Sequence, residues 1–111
     1  MDIIIQALGF TASEQLKELV TEQINKLEKL SHDAIRADVT FYIGSESNPE
    51  NNYCEIRLEV PGNDPFVKKN AETFEIALAD AVDTMQTQLR KNKEKQIDQH
   101  RGMPDLEQLT S

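Results

Sequence analysis

The chain is expected to fold as an α+β two-layer β-α-β-β-β-α sandwich, a four-stranded sheet with two helices packed on one face. Two features of the 111-residue sequence predict this. Two stretches repeat apolar residues at helical spacing, one early and one late in the chain. Two stretches between them alternate apolar and polar residues strictly, which marks strands with one covered face and one wet face. The amphipathic helices supply the cover, and a right-handed crossover sets the first strand parallel to the second, with the later strands as a meander.

Ile3 to Leu8 reads as a short strand, ended by Gly9-Phe10. Thr11-Ala12-Ser13-Glu14 has the T-x-x-E form of a capping box, in which the Thr11 hydroxyl would accept from the Glu14 amide. Leu16, Leu19, Val20, Ile24, Leu27 and Leu30 then line one helix face from about Ala12 to Leu30, and Ser31-His32-Asp33 breaks the pattern. Ile35, Ala37, Val39, Phe41 and Ile43 alternate with Arg36, Asp38, Thr40 and Tyr42. After the polar loop 44–52, Cys54, Ile56, Leu58 and Val60 face inward while Tyr53, Glu55, Arg57 and Glu59 face out. Pro61-Gly62-Asn63-Asp64-Pro65 makes a tight connection to a weaker strand, Phe66 to Ala71. From about Thr73 a long helix carries Phe74, Ala77, Leu78, Ala81, Val82, Met85 and Leu89 as its apolar stripe. The stripe stops there, yet Arg90 to Gln99 holds no Gly or Pro and favours helix.

Composition narrows the function. An apolar share of 38% and a charged share of 29% suit one soluble globular domain. No apolar run approaches the roughly 20 residues that cross a bilayer, and no secretory pattern opens the chain. The single Cys54 cannot close an internal disulfide, so a cytoplasmic location is expected, with Cys54 a core residue. His32 and His100 have no partner at metal-ligand spacing, and no phosphate-binding glycine loop is present. Nothing selects a catalytic carboxylate pair. No enzyme, cofactor, metal site, membrane or small-molecule substrate is therefore expected.

Charge is unevenly spread. The chain carries a formal −8, but between Gln86 and Arg101 five bases (Arg90, Lys91, Lys93, Lys95, Arg101) outnumber two acids (Glu94, Asp98). So acidic a protein is repelled by nucleic acid unless its cations gather on one surface. A helix from Thr73 to Lys95 would span roughly 35 Å against about 26 Å for an eight-residue strand. Arg90 to Lys95 would then lie where the helix has run out of sheet to cover.

These pieces together resemble the ribosome hibernation-promoting factor family, which includes the ribosome-associated inhibitor and proteins described as sigma-54 modulation or ribosomal subunit interface proteins. In the first helix Leu16, Val20, Lys26, Leu27 and Glu28 fit the family's L-x-x-x-V-x-x-x-x-x-K-L-E pattern. In the second, Ala81-Val82-Asp83 and the run Gln88 to Lys95 are similar to its I-D-x-L-x-x-Q-L-x-K-x-K-x-K ending. The resemblance covers roughly Met1 to Lys95 and is to the short type. It implies a non-enzymatic translation inhibitor that binds the small ribosomal subunit and its rRNA in the mRNA/tRNA channel and keeps idle ribosomes inactive; with no visible oligomerisation signal in the sequence, a monomer is the default expectation for the free protein. The ribosome-binding domain is then expected over 1–101, and Gly102-Met103-Pro104 ends the helix, leaving a flexible acidic tail over 102–111.

Carried over residue by residue, the rRNA contacts implied are Lys26 and Lys29 on the first helix and Lys91, Lys93 and Lys95 on the second, with Arg90 added. Arg36, Arg57, Lys68 and Lys69 are secondary candidates on the sheet and its rim. Such contacts neutralise phosphates, with shape deciding the docking site. The chain departs from the pattern at Thr84 and Thr87, where many relatives carry Lys or Arg, and in the acids Glu22, Glu28 and Glu94.

Blander readings exist for each cation. A basic helix end complements the helix dipole, worth about 0.3–1 kcal/mol. Lys26 and Lys29 would pair with Glu22 and other helix neighbours at roughly 0.2–0.5 kcal/mol each, and Lys68-Lys69 would guard an edge strand. Two other functions remain open: a protein–protein adaptor using the exposed sheet face or acidic loop, and a general duplex-RNA binder. Glu55 and Glu59 on the outward sheet face argue against the second.

Overall fold

The computed structural model describes residues 1–101, with side chains described as far as Lys91. The expected 102–111 tail and the side chains of Lys93 and Lys95 lie outside the described residues. Strand β1 (Asp2–Ala7) leads through helix α1 (Glu14–Glu28) to β2 (Arg36–Ile43), β3 (Asn52–Glu59) and β4 (Phe66–Ala71), and helix α2 (Phe74–Arg101) closes the order. The sheet runs β1-β2-β3-β4, with β1 parallel to β2 and both later pairs antiparallel. This is the α+β sandwich the sequence predicts.

The alternation places Ala37, Val39 and Phe41 of β2 and Cys54, Ile56 and Leu58 of β3 fully buried beneath the helices. Leu16, Val20, Ile24 and Leu27 of α1 and Ala77, Leu78, Ala81, Val82, Met85 and Leu89 of α2 meet them. Ile35 and Ile43 keep the same parity but lie past the covered part of the sheet and are 53% and 55% exposed.

The cap of α1 differs from expectation. Ser13, not Thr11, holds the extended N-cap conformation, and its Oγ accepts from the Leu16 amide at 3.1 Å. Ala12 is buried against the core and anchors the chain there, so the first free amides of the helix come within reach of Ser13 while Thr11 stays in solvent. At α2 the Thr73 hydroxyl accepts from the Ile76 amide at 3.1 Å. The Val60–Asn63 turn carries Pro61 and then Gly62 at φ +80°, with Asn63 N–H donating to the Val60 carbonyl at 3.0 Å, the residue order a type II turn demands.

Connectivity fixes the helix directions. Strand β4 runs parallel to β1 and β2, and each helix returns across the sheet from the strand before it, so α1 and α2 run side by side in the same direction. Their starts are pinned together by aromatic packing. Phe10, just before α1, stacks on Phe74 at 4.8 Å, and Phe74 meets Phe41 edge-on at 5.4 Å. Their far ends therefore lie together too, over the start of β1 and the β3–β4 turn. Met1 N lies 3.1 Å from the Glu28 carboxylate at that end of α1, and Lys91 of α2 shares a cleft with Asn63 and Pro65.

Candidate nucleic-acid interface

Lys26 and Lys29 close α1, and Arg90 and Lys91 lie on α2 beyond Leu89, its last buried residue among those described. Because the helices run parallel from a common start, these four cations, some sixty positions apart in sequence, come to one end of the molecule. All four are exposed. The ion pairs among the described residues are Met1–Glu28, Lys17–Glu14, Arg36–Asp38 and Arg36–Glu59, and none uses the four. Lys26 Nζ donates to the neutral Gln23 Oε1 at 3.3 Å and does not pair with Glu22. Glu28, the acid nearest them on α1, has its carboxylate taken up by Met1 N.

The helix dipole accounts for Lys26, which stands in the last turn of α1. It does not account for Arg90 and Lys91. Helix α2 continues to Arg101, so these two sit about three turns before its end, whereas the dipole's influence fades within one turn. At 28 residues α2 is about 42 Å long. The two eight-residue strands reach about 26 Å. The excess of about 16 Å is larger than the sequence suggested, because the helix runs past Lys95. It carries the backbone of Lys93 and Lys95 onward from Lys91.

A sequence-family model described as Sigma 54 modulation protein / S30EA ribosomal protein matches residues 3–97. The chain belongs to this family. Its fold agrees with that of two solved structures. A ribosomal subunit interface protein from Coxiella burnetii superposes with a TM-score of 0.75 at 18% identity, over 85% of this chain and 99% of that one. The Protein Y N-terminal domain of Thermus thermophilus does so at 0.70, also 18% identical, over 82% and 98%. At such identity the likeness is one of fold. No curated protein matches the sequence.

Within this family fold the remaining candidates are dispersed. Arg36, Arg57 and Lys68 stand on the open sheet face, whereas Lys69 has the parity of the buried Val67 and Ala71 and points to the helix side. Arg36 is engaged by Asp38 at 3.1 Å and Glu59 at 3.3 Å. The Arg57 guanidinium lies 5.0 Å from the Phe66 ring centre, and Lys68 Nζ lies 5.4 Å from that of Tyr53. Tyr42 and Tyr53 stack on each other at 5.0 Å, with 1° between their planes. The Tyr42 hydroxyl donates to Glu55 Oε2 at 2.6 Å. Burial, then that hydrogen bond and the Glu55 charge, push the Tyr42 phenol up to about 12. The open face thus satisfies its cations internally, and its acids Asp2, Asp38, Glu55 and Glu59 outnumber them.

Burial likewise pushes the Cys54 thiol up to about 12, with help from the Glu55 charge, so it stays protonated at neutral pH. Among the described residues no three His, Cys, Asp or Glu side chains gather as a metal site requires, and no helix is long and apolar enough to cross a membrane. The structure adds a feature that sequence reasoning missed. Asn63, Pro65, Gln88 and Lys91 line a shallow cleft of about 310 Å³ between the β3–β4 turn and α2. Pro61-Gly62 signals the turn, but no local pattern says that its tip reaches the second helix.

Proposed function

We propose that this protein binds the small ribosomal subunit through its basic end and silences idle ribosomes by occupying the channel used by mRNA and tRNA. One observation carries the reading: the cations closing α1 and those of mid-α2 converge on one end of an otherwise acidic chain of this family. The family description and the name of the Coxiella burnetii neighbour both refer to the ribosome, which supplies the partner. Lys26, Lys29, Arg90 and Lys91 neutralise rRNA phosphates, and Lys93 and Lys95 extend the contact along α2. No bond is made or broken; inhibition follows because the protein and the translation ligands need the same space. Arg36, Arg57, Lys68 and Lys69 contribute little, since the open face holds its own cations and Lys69 lies on the other side of the sheet.

The test is co-sedimentation with ribosomes and separated subunits across a salt series. Pelleting with the small subunit that falls away as salt rises, and that is lost in a Lys91→Glu, Lys95→Glu variant, supports the reading. A protein that stays in the supernatant at low salt sinks it and leaves an adaptor acting through the sheet face. Equal affinity for any RNA duplex would point instead to general duplex binding.

A further inference from the structure

The cleft between the β3–β4 turn and α2 has a chemistry distinct from the charged surface beside it. Lys91 supplies one cation at its rim. Asn63 and Gln88 each present an amide with one acceptor oxygen and two donor hydrogens, the complement of a nucleobase edge. Neither amide has a hydrogen-bond partner among the described residues. Pro65, buried under the turn, closes the inner side of the cleft. The nearby carboxylate of Asp64 is turned back into its own loop, where it accepts from the Val60 amide at 3.3 Å. A volume of about 310 Å³ is at the small end of ligand sites. It has room for one nucleotide.

We propose that this cleft takes a single unpaired nucleotide of the rRNA, its phosphate on Lys91 and its base edge read by Asn63 and Gln88. The proposal rests on the ribosome-binding reading and deepens it: phosphate contacts position the protein, and this one nucleotide sets the register. Placement supports it, because Lys91 belongs both to the cleft and to the basic end. A backbone docked along α2 therefore passes the cleft mouth.

The experiment compares small-subunit affinity for the wild type, an Asn63→Ala, Gln88→Met double variant and a Lys91→Ala variant, each across a salt series. Methionine keeps the length of the half-buried Gln88 without its amide, and the thermal midpoint checks that the fold is intact. The double variant should bind about tenfold more weakly at every salt concentration, the worth of two hydrogen bonds, with its salt slope unchanged. Lys91→Ala should instead make the slope shallower by about one unit. Chemical probing of the bound subunit should show one unpaired base protected by the wild type and exposed with the double variant. A double variant with wild-type affinity and the wild-type protection pattern overturns the proposal while leaving ribosome binding intact.

A second arm separates the two ideas. Amide spectra of the free protein are titrated with the four nucleoside 5′-monophosphates and, in parallel, with inorganic phosphate. Nucleotides should move the side-chain signals of Asn63 and Gln88 where phosphate does not. Identical responses to both refute the cleft. Nucleotide-specific shifts in a protein that ignores the subunit would keep the cleft for a free nucleotide and reject the ribosome as its source.

Discussion

Removing Lys26 and Lys29 together tests whether the end of α1 shares one docking surface with α2. With six phosphate contacts, at Lys26, Lys29, Arg90, Lys91, Lys93 and Lys95, the logarithm of the binding constant should fall with that of salt at a slope of about −4 to −5. Raising salt from about 50 to about 200 mM should then cost roughly a thousandfold in affinity. The Lys26→Ala, Lys29→Ala variant keeps four contacts, so its slope should be about −3 and its loss over the same range roughly a hundredfold. Both side chains are exposed and make no ion pair among the described residues, so the fold should be untouched. Fluorescence anisotropy of labelled protein with small subunits, at four or five salt concentrations, yields the slopes directly. An unchanged slope would mean that α1 faces away from the rRNA, and the convergence of the two helix ends would lose its functional meaning.

Four further outcomes follow from the geometry. Ser13→Ala should lose about 1 kcal/mol in urea unfolding while Thr11→Ala loses little, since only Ser13 caps α1; the reverse order would restore the capping box. The Tyr42 phenol, at about 12 in the fold against an ordinary value of 10.0, contributes stability that is full below pH 10 and lost as pH rises towards 12. Tyr42→Phe should therefore flatten the alkaline decline measured by denaturation, although Cys54, raised from 9.0 to about 12, keeps part of it. A Cβ at Gly44 would sit 2.5 Å from Tyr53 Cε1, so Gly44→Ala should displace that ring and weaken the near-ultraviolet tyrosine signal of the Tyr42–Tyr53 stack; an unaltered spectrum would show that the loop yields instead. Arg57→Ala should leave both affinity for the small subunit and its salt slope as they are, because Arg57 lies on the face of the sheet opposite the helices.

What was legible in the sequence follows the range of the forces involved. Period-two alternation in Ile35–Ile43 and Cys54–Val60 reports directly which residues a sheet buries, and the stripe from Phe74 to Leu89 does so for a helix. The fold is the sum of those local patterns. The capping residue was misread because Thr11 and Ser13 are chemically equivalent caps, and burial of Ala12, a tertiary contact, decides between them. The cations were visible one by one, but their convergence depends on the shared direction of two helices pinned by Phe10 and Phe74. The cleft depends on a turn meeting a helix some twenty-five residues later, for which no short-range pattern exists.

Each helix is divided by charge along its length, and under the proposed function this is how so acidic a chain would approach RNA. On α1, Glu14, Glu18 and Glu22, with Lys17 paired to Glu14, precede Lys26 and Lys29, between which Glu28 is paired with Met1 N. On α2, residues 74–89 hold three acids and no cation, whereas 90–101 hold five cations and two acids. Since the helices are parallel, the two gradients add and do not cancel, so the helix layer is more acidic at the aromatic end and more basic at the other. Among phosphates such a dipole is turned before it touches: the acidic end is pushed outward while the basic end is drawn in, over distances up to the Debye length of about 8 Å at physiological salt. The net −8 then opposes unspecific adhesion to nucleic acid, and the gradient admits one orientation. Neutralising Glu14, Glu18 and Glu22 to Gln should therefore strengthen binding to bulk RNA more than binding to the small subunit, and equal gains on both would show that the acids do not confer selectivity.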